Sequence, residues 1–274
     1  MERHATPEFA FIGGGNMASA LIGGLRQAGT AGSAILVVEP SAEQRQRLQA
    51  QFAVGTLAAA DAALAGVPLL VWAVKPQAFA DAAAPCAQHV AGALHLSVMA
   101  GIRCAAIARH SGASRIVRSM PNTPALIGKG IAGLFATPGV TLAERERIES
   151  MLAPTGQTLW VDHEADLDAV TALSGSGPAY VFYFIEAMQA AAAEMGLTPE
   201  QGKRLALATF DGATALASRS DEPVALLRER VTSKGGTTFA ALEAMRGDGV
   251  AGAITRAVRA AQARAAELGD EFGA

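Results

Sequence analysis

The sequence predicts an α/β chain in two parts, a parallel sheet covered by helices on both faces and then an all-α segment. Three observations carry that expectation. Short apolar runs alternate with helical spacings through the first half. Those runs are apolar at consecutive positions, the mark of strands buried on both sides. From about His163 the runs stop and Ala-rich helical stretches replace them. At 274 residues, 51% of them hydrophobic, the chain is long for one core and comfortable for two. The boundary is expected near residue 162, giving parts 1–162 and 163–274.

Taken in order, Phe9–Ile12 is the first run and ends in glycines, and 17–28 follows with helical spacing. Further runs are Ile35–Val38, 69–74, 93–98, 115–117 and 131–135. The stretch 82–102 carries no Asp, Glu, Lys or Arg. Pro85, Gln88, His89 and His95 nevertheless divide it into a helix, a turn and a buried strand rather than a membrane span. In the second part Tyr180, Phe184, Ala187, Met188, Ala191 and Met195 recur at helical spacing, while Val181, Phe182 and Ile185 fill the remaining faces. A helix without a polar face is expected to be buried on every side. The segment 163–274 is short to enclose it alone, which points to a dimer. Thr198 and Pro199 open a fresh helix as N-cap and first helical residue. In the last helix Ile254, Val258, Ala261, Ala265 and Leu268 form a stripe suited to a partner helix.

Composition excludes several function classes. Charged residues are 17%, and 22 Lys+Arg against 25 Asp+Glu leave a net charge of -3. Disorder needs the opposite balance, and no electrostatic case exists for a nucleic-acid or membrane partner. Cys86 and Cys104 are too few for a disulfide framework and read as buried thiols in a reducing compartment. Met1-Glu2-Arg3-His4 lacks the opening of a signal peptide, so a soluble, cytoplasmic protein is expected. His4, His89, His95, His110 and His163 show no metal-ligand spacing, and no G-x-S-x-G elbow is present.

The chemistry lies in the loops. Gly13, Gly14, Gly15, Asn16, Met17 and Ala18 read G-x-G-x-x-A between a strand and a helix. Such glycines permit a tight turn and let backbone N–H groups approach a pyrophosphate at the positive end of the helix. The second strand run ends at Glu39, where a carboxylate can accept hydrogen bonds from ribose hydroxyls and so favour NAD. Ser41, Arg45 and Arg47 are near enough in sequence to bind a phosphate instead, and an exposed strand-end glutamate is the plain alternative. Ala73-Val74-Lys75-Pro76 lies beyond another strand, where ligands bind in open α/β sheets; Lys75 reads either as a cofactor contact or as a solvated lysine. Met120-Pro121-Asn122-Thr123-Pro124 is stiffened by two prolines, as either an active-site wall or an ordinary connection. Leu173–Pro178 reads as a loop leading into the apolar helix, with glycines that serve either close helix packing or direct ligand contact. In Thr232-Ser233-Lys234-Gly235-Gly236-Thr237-Thr238 glycines expose N–H groups at a helix start, which can hold a carboxylate; a simply capped helix start remains the alternative.

Together these segments resemble pyrroline-5-carboxylate reductase. FIGGGNMASALI, WAVKPQ, VRSMPNTPALIGKG, LSGSGPAYVFYFIEAM and VTSKGGTTFAAL stand in the family's order and spacing from about Phe9 to the last helix. The resemblance implies a Rossmann-like N-terminal domain and an all-α dimerisation domain, with dimers that often build rings and active sites shared between two chains. It implies reduction of 1-pyrroline-5-carboxylate to L-proline by hydride transfer from NADP(H) or NAD(H) to the C5 carbon. By position, Ile12, Gly13, Gly14, Gly15, Asn16 and Met17 would bind the pyrophosphate, with Glu39 and Ser41 at the adenosine end. Ala73, Val74, Lys75, Pro76, Val98, Met99, Ala100 and Asn122 would line the rest of the cofactor. Ser233, Gly235, Gly236, Thr237 and Thr238 would hold the substrate carboxylate, Thr238 standing near the ring nitrogen as the catalytic position, and Glu164 would lie close to the substrate. Glu39 and Ala60 depart from the commoner small hydroxyl residue and asparagine, which keeps both cofactors open. Lys234 often has proline in its place among relatives, which argues against a Schiff base. A β-hydroxyacid dehydrogenase would need a lysine that 163–195 does not contain. A non-catalytic regulator would need a damaged substrate loop, and Ser233–Thr238 is intact.

Overall fold

The structure is a computed structural model that describes residues 6–273; the start of the chain, with His4, lies outside the described residues. Eight strands form one sheet: β1 (Phe9–Ile12), β2 (Ile35–Val38), β3 (Gly55–Leu57), β4 (Leu69–Trp72), β5 (Leu94–Ser97), β6 (Ile116–Met120), β7 (Gly130–Ala136) and β8 (Gly156–Trp160). Their spatial order is β3-β2-β1-β4-β5-β6-β7-β8. Every pair is parallel except β6 with β7, so the expected parallel sheet carries one reversal, where a short connection lets the chain return beside itself. The strand order reverses at β1 and β4, the place where doubly wound sheets bind their ligands.

Helices cover both faces. They are α1 (Asn16–Gln27), α2 (Ala42–Phe52), α3 (Phe79–Ala83), α4 (Ala87–Val90), α5 (Cys104–Ser111), α6 (Leu142–Leu152) and α7 (Asp166–Val170). Alternate residues of each central strand serve opposite cores. Phe9 and Phe11 pack with Leu21, Ile22, Leu48 and Ile148 under α1, α2 and α6. Ala10 and Ile12 pack with Trp72, Phe79, Cys86 and Ile107 under α3, α4 and α5. This two-sided burial is why those strands read as unbroken apolar runs. Both cysteines are free and buried, and burial pushes the Cys86 thiol up to about 11.

One buried polar pair lies inside the second core. The Trp72 indole N–H donates to His95 Nδ1 at 2.9 Å, and His95 Nε2 lies 2.9 Å from the Val90 carbonyl. An indole can only donate, so the imidazole is neutral with its proton on Nε2. Burial holds its pKa down at about 4.

The remaining helices are α8 (Gly177–Glu194), α9 (Pro199–Ser218), α10 (Val224–Arg230), α11 (Thr237–Gly247) and α12 (Val250–Gly273). The contacts divide the chain elsewhere than at the expected boundary of 162. One compact unit runs to Ser176 and takes in Ala261 onward, and the other is Gly177–Ala260. The cause is packing. Val170 of α7 lies against Gly133 of β7 so closely that an added Cβ would come within 2.6 Å. The end of α12 likewise packs on the loop after β5, with Gly101 against the Leu268 backbone and Arg103 paired to Asp270 at 3.1 Å.

Within the helical unit Thr198 caps α9 through a capping box with Gln201, and Pro199 takes the first position. The all-round burial expected of α8 is not met in a single chain. Ile185 and Ala192 are buried, the latter beside Gly202 of α9, whereas Phe182 is 60% and Tyr183 73% exposed. Of the last-helix stripe, Ala265 is buried and Ile254 is exposed. The segment Leu173–Pro178 is not a loop: Thr171–Gly175 forms a π-helical turn that carries α7 onward toward α8. No helix among the described residues is long and apolar enough to cross a membrane.

Candidate functional site

The β1–α1 turn is built for close approach. Gly13 has φ +96°, and a Cβ there would stand 2.6 Å from the Ala73 carbonyl oxygen; a Cβ on Gly14 would stand 2.7 Å from Leu48. Only glycine lets this turn pass under the chain beyond β4. Gly15 is the N-cap of α1 and offers no side-chain cap, and no acidic residue occupies the first turn. The helix therefore presents free N–H groups and its positive end, the donors an anion needs.

A cleft of about 500 Å³ opens at this turn. Its walls include the predicted Ile12, Gly13, Gly14, Gly15, Glu39, Ala73, Val74 and Lys75. Asn16, Met17, Ser41, Pro76, Val98, Met99, Ala100 and Asn122 are not among its walls. Met99 is buried in the core, and its N–H donates to the Ser97 hydroxyl at 3.3 Å. Asn122 acts as a tie: its Oδ1 accepts the Ile131 N–H at 3.0 Å and its Nδ2 donates to the Ser174 carbonyl at 3.2 Å. Sequence reasoning missed Pro40, Ala58, Ala59, Ala78, Asp81, Ala82 and Pro85, which with Val38 and Ala60 complete the walls. Most are small or apolar, and nothing in their local pattern marks them.

At the second strand end, Glu39 Oε2 accepts the Gly14 N–H and Oε1 accepts the Ser41 N–H, both at 2.9 Å. The carboxylate thus closes the glycine turn onto the start of α2. Ser41 caps that helix, its hydroxyl accepting from Gln44. Arg45 donates to the carbonyls of Glu39 and Pro40, and Arg47 pairs with Glu43.

Glu164 is the hub of a charged cluster that the sequence does not foretell. Its Oε1 accepts the Cys104 N–H at 2.7 Å, capping α5, and the Arg118 Nη1 donor at 2.8 Å. Arg118 is 6% exposed, and its Nε has no partner. Arg103 lies between Asp168 and Asp270. Burial raises the Asp168 carboxyl above its ordinary range, against the pull of Arg103 and Arg118. Burial and the neighbouring Glu164 charge push the Cys104 thiol far up, so it stays a protonated, unreactive group. A single arginine inside the run Ile116–Met120 was the available signal for Arg118; the expected strand at 115–117 stopped one residue short of it.

In the helical unit, α10 ends at Arg230 and α11 begins at Thr237. Gly235 turns the chain with φ +73°, and Gly236 is the N-cap, again with no side-chain cap. Ser233 accepts the Gly236 N–H through its carbonyl at 3.0 Å. The first N–H groups of α11 are left free, and Thr238 stands half-buried beside them. Lys234 is exposed. This is a second anion-ready helix start, suited to a carboxylate.

Comparison with known proteins agrees with both halves. Residues 164–268 match the family described as pyrroline-5-carboxylate reductase dimerisation, and residues 8–101 that described as NADP oxidoreductase coenzyme F420-dependent. The pyrroline-5-carboxylate reductase of Pseudomonas aeruginosa is 42% identical over 98% of this chain and 99% of its own. A solved pyrroline-5-carboxylate reductase from Coxiella burnetii superposes with a TM-score of 0.89 at 34% identity, covering 96% of this chain and 99% of that one. The Plasmodium falciparum pyrroline carboxylate reductase, solved with NADP bound, gives 0.85 at 27% identity, covering 96% and 98%.

Proposed function

This chain belongs to the pyrroline-5-carboxylate reductase family, and from that premise we propose how its residues divide the work. It reduces 1-pyrroline-5-carboxylate to L-proline with NAD(P)H and self-associates through its helical segment. The bound dinucleotide supplies the hydride that C5 of the cyclic imine accepts. All other tasks fall to the protein: holding, orienting and keeping water out.

Ile12–Met17 hold the pyrophosphate on the N–H groups at the start of α1. The fit rests on the turn itself: Cβ atoms at Gly13 and Gly14 would strike Ala73 and Leu48 and displace it, while Gly15 faces open space. Glu39 and Ser41 serve the adenosine ribose end. Ala73–Pro76, Val98–Ala100 and Asn122 line the remainder, Asn122 by fixing the wall between β7 and the π-helical turn. Ser233, Gly235, Gly236, Thr237 and Thr238 hold the substrate carboxylate, with the Thr238 hydroxyl at the ring nitrogen; Glu164 stands close to the substrate, held by Arg118. A protonated imine is already electrophilic, so orientation and exclusion of water supply much of the acceleration. A threonine hydroxyl has no pKa suited to a strong general acid, so Thr238 orients rather than protonates.

The observation that carries this assignment is the pair of helix starts, at Gly15 and at Gly236, that no side chain caps. The segment 163–274 is the dimerisation and substrate part in this reading, 1–162 the dinucleotide part. Assembly of dimers into rings and a cytoplasmic location belong to the same proposal. Thr238→Ala tests it: reduction should fall at least tenfold while cofactor affinity stays within twofold. Loss of cofactor binding with turnover per bound cofactor retained would overturn the placement of the loop.

A further inference from the structure

The adenosine end of the cleft is built around one carboxylate. Glu39 Oε1 and Oε2 each accept one backbone N–H, from Ser41 and Gly14. A carboxylate oxygen has two acceptor positions, so each keeps one free, and Glu39 is a wall of the cleft. Two vicinal ribose hydroxyls are the donors that match such a pair of acceptors.

A ribose 2′-phosphate asks for the reverse. It is a pure acceptor with more than one negative charge, and it needs N–H, O–H or cationic partners. The backbone N–H donors beside Glu39, those of Ser41 and Gly14, are engaged by Glu39 itself. Of Ser41 only the hydroxyl proton is left to give, since its oxygen accepts from Gln44. Arg45 Nη1 is drawn to the carbonyls of Glu39 and Pro40 at 2.8 and 2.7 Å, and Arg47 is paired on the exposed surface of α2 with Glu43, so among the described residues neither guanidinium pairs with the Glu39 carboxylate. The facing wall, Ala58–Ala60, has no polar side chain, and Asp81 adds a second carboxylate to the cleft. Lys75 follows β4, two strands away from β2, which is about 10 Å at ordinary strand spacing.

We propose that Glu39 makes this reductase prefer NADH over NADPH, by accepting the ribose hydroxyls and by withholding from a 2′-phosphate both the space and the two N–H donors it would need. The inference rests on the reading of this cleft as the dinucleotide site. Repulsion between carboxylate and phosphate acts in a partly desolvated cleft, where salt screens it incompletely.

The test is titration of the full chain with NADH and with NADPH by nucleotide fluorescence, followed by initial rates with 1-pyrroline-5-carboxylate. NADH should bind at least tenfold more tightly and show the higher kcat/KM by a similar factor. Glu39→Ser should bring the ratio near one or reverse it, chiefly by strengthening NADPH, because the Gly14 and Ser41 N–H groups are released. Glu39→Gln keeps the shape and one acceptor oxygen, so it should lose part of the discrimination even if the serine variant folds poorly. Equal or NADPH-favoured binding by the unmodified chain would overturn the preference and leave the cleft reading intact. So would a Glu39→Ser chain that loses NADH with no gain for NADPH. A folded chain that binds neither dinucleotide would overturn the cleft reading and this inference with it.

Discussion

The Arg118–Glu164 pair allows a prediction whose size depends on which partner is removed. Removing Glu164 as Glu164→Ala leaves the Arg118 guanidinium 6% exposed, with Nη1 newly unpartnered and Nε already so. It also uncaps the Cys104 N–H at the start of α5. A buried charge that loses its hydrogen-bonded partner costs about 3 kcal/mol, and the Asp168 carboxylate nearby offsets part of that. The converse change, Arg118→Met, fills the same volume with apolar atoms and leaves a carboxylate that is 22% exposed and still bonded to Cys104. That carboxylate can rehydrate, so the cost should be about 1 kcal/mol. Urea unfolding followed by tryptophan fluorescence reads the difference, since Trp72 and Trp160 both lie in the sheet unit. Equal midpoints for the two variants, or the methionine variant unfolding first, would show that the pair's burial does not decide its energetics. NAD(P)H and imine KM values measured on the same two proteins then separate stability from positioning. Glu164→Ala should raise the imine KM more than the dinucleotide KM.

Two further outcomes follow from the cores and the glycine turn. The unfolded chain takes up a proton at His95 below about pH 6.5, while the folded chain refuses it until about pH 4. Stability is therefore full above pH 6.5 and falls by up to about 3 kcal/mol as the pH drops through that window. Urea midpoints at pH 7.5 and 5.0 should show the loss, and His95→Gln should flatten it; an unchanged pH response in that variant would remove His95 as the cause. Gly13→Ala puts a methyl 2.6 Å from the Ala73 carbonyl at a φ of +96°, so dinucleotide affinity should fall by tenfold or more. Calorimetric titration showing unchanged affinity would contradict the cradle.

What was legible in the sequence is what lies within a few residues along the chain. Phe9–Ile12, Gly13–Met17 and the helix after them are consecutive, and their strand–glycine–helix order needs no tertiary information. Thr198 and Pro199 announced α9 for the same reason. Buried strands were readable because both of their faces are apolar. β8 was not: Gly156–Trp160 is an edge strand with exposed Gln157 and Leu159, and it shows no apolar run. β3 is a three-residue edge strand with the same failing. The Arg118–Glu164–Cys104 cluster joins residues 46 and 60 positions apart, so no local pattern encodes it. The role of Glu39 stood open for a related reason: its neighbours Ser41, Arg45 and Arg47 are close in sequence, and only their hydrogen bonds show that they face elsewhere. The exposed Phe182 and Tyr183 show why the all-round apolar pattern of α8 misled: a single chain leaves those positions open.

The activity assigned to this chain is transfer of a hydride from a reduced dinucleotide to a five-membered cyclic imine. It is tested most directly by following the absorbance of NADH and of NADPH separately with 1-pyrroline-5-carboxylate while L-proline is quantified. One proline should form per dinucleotide oxidised, with NADH the faster of the two. A folded, dinucleotide-binding chain that oxidises neither cofactor in the presence of the imine would contradict it.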